Sequence, residues 1–266
     1  MNRIPRRDRG WLRDLNSVES PAGRMVCLPH SGGSAVAYRP WSRSVPADLS
    51  LMAVQYPGHA DRLGEPFAGG IAELGAGVAG DLLRLDPAPC VLFGHSLGAL
   101  VAYETARVLQ EAGSPPAYLF LSGAPAPSQH RGGITHEAGD EELWDALCGL
   151  GGMDPAVAAD TELRDLMLPV LRADIALSLA YRPAPDAVPL NCAVRCHYNT
   201  EDPLVDAERI SAWAEVGTGP FSVRAWPGGH FRLFSDPAAA IGDIVTALAG
   251  AGVAVGGVGA GAGGAR

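Results

Sequence analysis

Six short runs of apolar or β-branched residues recur along the chain, each closed by Gly, Pro or Asp: Met25 to Leu28, Leu51 to Val54, Cys90 to Phe93, Tyr118 to Leu121, Val194 to Tyr198 and Phe221 to Arg224. Their length and punctuation predict strands. Stretches of helical period lie between several of them, at Ile71 to Leu85, Leu100 to Leu109, Ala207 to Trp213 and Pro237 to Leu248. The last opens with Asp236 as a helix N-cap and Pro237 at the first helical position. Strand and helix in alternation constrain the fold to the α/β class, with a mostly parallel central sheet flanked by helices on both faces.

One interval breaks the rhythm. About 70 residues separate the run ending at Ser122 from the one starting near Val194, more than a simple crossover needs. Glu141 to Leu150 and Leu163 to Ala180 place Leu143, Trp144 and Leu147, then Leu166, Val170, Leu171, Ile175 and Leu179, on apolar stripes. An inserted helical lid over about residues 126–188 is expected, because open α/β sheets bind ligands at the carboxyl ends of their strands. Helices that merely extend the core are the other reading.

Composition narrows the class. The chain has 20 basic and 29 acidic side chains, a net charge of −9, so a nucleic-acid partner is not expected. At 47% hydrophobic and 18% charged it has the makings of a large buried core. Its 5 cysteines form no CxxC pair, which argues against a zinc site or disulfide framework and for reduced thiols in the cytoplasm. Residues 1–20, with Arg3, Arg6, Arg7, Arg9 and Arg13 and no apolar run, read as a flexible arm, not a secretory signal. Residues 249–266, almost all Gly, Ala and Val, read as a disordered tail rather than a membrane span. The folded domain is expected over residues 21–248.

The chemistry centres on Gly94-His95-Ser96-Leu97-Gly98, which follows one predicted strand and precedes an apolar helix. That order is the setting of a strained turn presenting a serine nucleophile, and side chains at 94 and 98 would crowd it. A serine hydroxyl needs a base, and the base needs a carboxylate to orient it. His230, in the Gly-rich turn Pro227-Gly228-Gly229-His230-Phe231, is the base the chain order offers. Asp202, after a strand and before Pro203, is the preferred acid. Glu201 and Asp206 are its rivals, the first expected to face solvent and the second to cap the helix at Ala207. Two backbone donors should hold the oxyanion: the N–H of Leu97, and that of Ser31 in the loop Pro29-His30-Ser31-Gly32-Gly33. A turn with an N-cap at Ser34 is the bland reading of the same loop.

Other features carry less. Gly75 to Gly80 and Gly259 to Gly264 fit G-x-G-x-x-G, but neither joins a strand to a helix. Cys192 and Cys196 read as packed thiols. His30 and His95 are expected to shape the site's loops, while His59, His130, His136 and His197 have no assigned role. Tyr38 and Trp41 suit either the pocket or the core.

Taken together, LPHSGG at Leu28 to Gly33, QYPGH at Gln55 to His59, GHSLGALVAYE at Gly94 to Glu104, LRAD at Leu171 to Asp174, YRP at Tyr181 to Pro183, DPLV at Asp202 to Val205 and PGGHF at Pro227 to Phe231 resemble the type II thioesterases of polyketide and nonribosomal peptide assembly lines. The resemblance implies an α/β-hydrolase fold with a helical lid. It implies a Ser96–His230–Asp202 triad with oxyanion donors at Ser31 and Leu97, and an acyl thioester on the phosphopantetheine arm of a carrier protein as substrate. No cofactor, metal or membrane is implied. The chain has Asn199 where the family usually carries a Gly ahead of the acid. An Arg patch near Arg131 or Arg182 would have to offset the net negative charge at a carrier-protein interface. An α/β-hydrolase of free esters or coenzyme A thioesters, and a carrier-binding module without catalysis, are the alternatives.

Overall fold

A computed structural model describes residues 10–129, 136–153 and 155–253. Seven strands form one sheet in the order β1-β3-β2-β4-β5-β6-β7. They are β1 (Leu12–Asp14), β2 (Gly23–Leu28), β3 (Leu49–Val54), β4 (Cys90–His95), β5 (Tyr118–Ser122), β6 (Ala193–Asn199) and β7 (Phe221–Trp226). All neighbours run parallel except β1, which is antiparallel to β3. The helices are α1 (Ile71–Leu82), α2 (Leu97–Glu111), α3 (Asp140–Gly149), α4 (Pro155–Ala158), α5 (Thr161–Ala180), α6 (Ala207–Ser211), α7 (Arg232–Ser235) and α8 (Pro237–Gly250). This is the expected α/β-hydrolase arrangement, with α3, α4 and α5 inserted between β5 and β6.

The apolar runs are continuous because both faces of the sheet are covered. Alternate residues enter opposite cores. Val26, Leu28, Leu92, Leu119 and Leu121 pack with α1 and α2. Met25, Cys27, Val91, Phe93 and Phe120 pack with α8 and a 3-10 segment at Ala35–Arg43. Tyr38 and Trp41 lie on that segment with 0% exposure, so they are core residues and not pocket lining. The helix starts follow capping chemistry: Asp236 accepts from the Ala239 amide at 3.1 Å, and Asp206 from the Arg209 amide at 2.8 Å. Ser34 precedes the 3-10 segment but makes no side-chain cap.

The two ends of the chain require correction. The expected arm contains β1, whose Leu12 pairs with Val54. Trp11 beside it donates its amide to Asp81, and its ring lies under the Arg62 guanidinium at 4.8 Å. A Cβ at Gly77 would sit 2.2 Å from that ring, which explains one glycine of the G-x-G-x-x-G pattern by the close approach of α1 to the Trp11 indole. At the other end α8 runs to Gly250, past the predicted start of the tail, and Val253 packs on the core. Residues 1–9, His130, Arg131 and residues 254–266 lie outside the described residues. Among the described residues no helix is long and apolar enough to cross a membrane.

If β1 is anchored through this indole, Trp11→Ala lowers the unfolding free energy by roughly 2 kcal/mol, below the full cost of emptying a buried Trp site because the ring is half-buried. Urea unfolding reads this as a lower midpoint at unchanged slope. A shift within the range of ordinary surface substitutions would restore the flexible-arm reading.

Candidate active site

The site begins at the carboxyl end of β4, the strand in the middle of the sheet order. Ser96 follows at φ 55°, ψ −122°, a conformation that L residues avoid. Two close approaches impose it. A Cβ at Gly94 would meet the Gly98 carbonyl oxygen at 2.1 Å, and one at Gly98 would meet the Leu28 carbonyl oxygen at 2.0 Å. The Ser96 amide donates to the Ser122 carbonyl at 2.7 Å, tying the turn to the end of β5. Leu97 is the first residue of α2, so its N–H has no partner within the helix and lies at the helix's positive end.

His230 and Asp202 meet because β6 and β7 are parallel neighbours that end together, Asn199 opposite Trp226. The loops beyond them are stitched by the Thr200 amide on the Trp226 carbonyl at 2.9 Å and the Glu201 amide on the Gly228 carbonyl at 3.0 Å. His230 Nδ1 donates to Asp202 Oδ2 at 2.7 Å, with both side chains buried. Asp202 Oδ1 accepts the Leu204 amide at 2.9 Å, which fixes the carboxylate's rotation. Glu201 is exposed, and Asp206 caps α6. Asn199, at the position where the resembled family has glycine, donates from Nδ2 to the His230 carbonyl at 3.0 Å.

Three imidazoles crowd this corner. His95 is fully buried, 4.7 Å from the His230 ring, and its Nδ1 is 3.1 Å from Ser122 Oγ. Burial first, then the neighbouring His230, hold the His95 pKa well below its ordinary value. Desolvation likewise brings His30 down to about 4, against a hydrogen bond to the Ser31 carbonyl. Phe231 fills the space among the rings, 4.8 Å from His30, 5.4 Å from His95 and 4.9 Å from His230.

Ser96, Leu97, Ser31 and His230 line one cavity of about 330 Å³. Leu143, Leu147 and Leu150 enter its wall from the α3 end of the insertion, and Leu171, Ile175 and Leu179 from α5. The insertion therefore roofs the site, as expected of a lid. The wall is largely aliphatic, with Ser178 and Arg209 as its polar exceptions among the insertion and α6 residues.

Sequence reasoning passed over one pair. His59 and Asp174, 115 positions apart, form a contact of 2.9 Å between Nε2 and Oδ2. The same Asp174 oxygen accepts the Gly32 amide at 2.7 Å. Burial lowers the His59 pKa, but the hydrogen bond and charge of Asp174, helped by the Pro57 carbonyl, outweigh it and leave the value raised. QYPGH and LRAD carry these residues, yet nothing local tells that they meet.

The sequence profile of the thioesterase domain family matches residues 24–248. A probable cadicidin biosynthesis thioesterase of Streptomyces griseus is 36% identical over 238 residues, 90% of this chain and 66% of that protein. Thioesterase PikA5 of Streptomyces venezuelae is 36% identical over 228 residues, 84% of this chain and 80% of its own length. The solved structure of the type II thioesterase BorB, from the borrelidin biosynthetic cluster, aligns with a TM-score of 0.83 at 36% identity, covering 90% of this chain and 97% of that one. Agreement of profile, sequence and backbone over this much of the fold leaves one conclusion: the chain belongs to the thioesterase family of enzymes.

Proposed function

We propose that this thioesterase hydrolyses acyl thioesters from the phosphopantetheine arm of an acyl or peptidyl carrier protein, as an editing enzyme of polyketide or nonribosomal peptide assembly in the cytoplasm. The observation that carries the reading is the convergence of a serine on a strained turn and a buried His–Asp pair at one apolar cavity. The relatives named above supply the pathway context, since they include a probable cadicidin biosynthesis thioesterase and a type II thioesterase of the borrelidin biosynthetic cluster.

In this mechanism Ser96 Oγ attacks the thioester carbonyl carbon while its proton passes to His230 Nε2. Asp202 orients the ring through Nδ1 and stabilises the imidazolium. The amides of Leu97 and Ser31 hold the oxyanion. In the loop after β2 the Gly32 amide is taken by Asp174 and the Gly33 amide by the His30 carbonyl at 2.9 Å, which supports Ser31 as the donor. Collapse of the tetrahedral adduct breaks the C–S bond, and His230 returns the proton to the departing thiolate. Water, deprotonated by the same imidazole, then cleaves the acyl–Ser96 ester and releases the acid. Neutral His30 and His95 matter here, because a second cation beside His230 would oppose its protonation. The proposed chemistry needs no metal or cofactor from this chain.

The aliphatic wall suits an acyl chain and leaves the carbonyl at the polar end. Arg182, one of two arginines considered for carrier contact, is exposed with Nη1 on the carbonyls of Leu179 and Tyr181 at 2.8 and 2.7 Å. The other, Arg131, lies outside the described residues.

Ser96→Ala is expected to cut thioester kcat by at least ~10³-fold, and Asp202→Asn by at least ~10²-fold with little change in KM. A fluorophosphonate probe should add one phosphonyl mass to the intact protein and none to Ser96→Ala; labelling that survives the substitution removes Ser96 from its role. Turnover of an acylated carrier protein, the matching acyl-coenzyme A and a p-nitrophenyl ester separates the substrate classes. Preference for either small substrate over the carrier-bound acyl group replaces the editing reading with a general hydrolase. A Ser96→Ala protein that retains full biological effect replaces it with a carrier-binding module.

A further inference from the structure

Asp174 is 1% exposed, sits on α5, the long helix of the insertion, and does not itself line the cavity that holds Ser96 and His230. A carboxylate at that depth needs donors, and it has two on one oxygen: the Gly32 amide at 2.7 Å and His59 Nε2 at 2.9 Å. The other nitrogen of His59, Nδ1, lies 2.9 Å from the Pro57 carbonyl, which can only accept. Against an ionised Asp174 the ring meets acceptors on both sides and donates from both nitrogens, which leaves the pair neutral as a whole. Gly32 stands at φ +72°, and a Cβ there would lie 2.7 Å from Leu171 Cδ2 of α5, so loop and helix touch directly. The carboxylate thus fixes a peptide plane one residue from Ser31. The Ser31 carbonyl of the same peptide meets His30 Nδ1 at 3.0 Å, so without Asp174 a glycine peptide at positive φ keeps one of its two holds.

We propose that Asp174 is a positioning residue for acyl transfer: from the roof of the cavity it holds the Gly32 amide, thereby aiming the Ser31 amide at the oxyanion, while His59 cancels its charge so that no net negative field opposes that anion. The proposal rests on Ser96 as nucleophile and Ser31 as donor. The surrounding bonds agree with a loop held from several sides. Tyr56 Oη donates to the Pro29 carbonyl at 3.2 Å, Tyr38 Oη to the Leu28 carbonyl at 3.0 Å, and the Ala35 amide to Gln55 Oε1 at 3.2 Å. Of these anchors only Asp174 comes from the insertion, so it makes the geometry of the oxyanion loop depend on the seating of α5.

The test compares the full-length protein with Asp174→Ala and Asp174→Asn, using p-nitrophenyl butyrate and the butyryl thioester of N-acetylcysteamine. Amide hydrogen exchange of the peptide spanning residues 29–34 is measured in parallel. Asp174→Ala should lower kcat by roughly 10- to 100-fold with KM held within about threefold, and speed exchange at residues 31–33 by about tenfold or more. Asp174→Asn keeps an acceptor for the Gly32 amide and should recover part of both effects. If Asp174→Ala does not fold, Asp174→Asn decides, with a kcat loss of about threefold or more and faster exchange expected. Wild-type kcat in either folded variant, a loss confined to KM, or unchanged exchange overturns the proposal. A wild-type protein that turns over neither of these substrates nor the butyrylated carrier protein overturns the hydrolase reading instead, and the exchange measurement then still reports whether Asp174 holds the loop.

Discussion

The backbone at Ser96 is the constraint around which the rest is arranged. A residue at φ 55°, ψ −122° costs about 1–3 kcal/mol relative to relaxed backbone, and it persists only where its surroundings over-determine it. Here they do. β4 is flanked by β2 and β5 and buried on both faces, the Ser96 amide is bound by Ser122, and α2 leaves the turn at once. The close approach at Gly98 also has a second effect. Because the Leu28 and Pro29 carbonyls press on that position, the loop at residues 29–33 lies against the start of α2. The contact that forces glycine at 98 is therefore the contact that brings the Ser31 and Leu97 amides to one cavity.

Electrostatics in the site are arranged in pairs, which matters in a chain of net charge −9. Asp202 faces His230 and Asp174 faces His59, each buried carboxylate matched to one imidazole. The remaining imidazoles, His30 and His95, are held neutral by desolvation. Buried pairs of this kind contribute little net stability against an apolar replacement, because desolvation offsets their attraction. What they supply is orientation: a carboxylate that accepts from a ring and from a backbone amide fixes both. Asp202 does this for His230 and Leu204, and Asp174 for His59 and Gly32.

Legibility in the sequence followed the range of the interaction that defines each feature. Strands β2 to β7 were readable because burial on both faces leaves uninterrupted apolar runs. β1 was not, since Leu12-Arg13-Asp14 is a three-residue edge strand whose neighbouring arginines suggest a tail, and Trp11 is anchored by residues 62 and 81. The Gly/Ala composition beyond residue 248 hid the last two residues of α8. Capping roles at Asp206 and Asp236 were visible because they act over three residues. Ser96 stood out through its flanking glycines, and His230 and Asp202 through chain order after strands. The Asp174–His59 pair had no local signature at all, and neither did the burial of Tyr38 and Trp41 under the sheet.

The two parts of the insertion are held by different forces. α5 is tied at two buried polar points two helical turns apart: Asp174 on Gly32 and His59, and, just past its end, Tyr181 Oη on Glu104 Oε1 of α2 at 2.6 Å. Breaking either would strand a buried polar group at a cost of about 1–3 kcal/mol. α3 is held to α5 by a small apolar cluster around Leu143, Trp144, Leu168 and Leu171, and by an Arg172–Asp140 ion pair whose side chains are 31% and 63% exposed. Exposed pairs are worth about 0–1 kcal/mol. α5, tied to the loop after β2 and to α2, is therefore the more firmly held wall of the cavity, and α3 the more lightly held one.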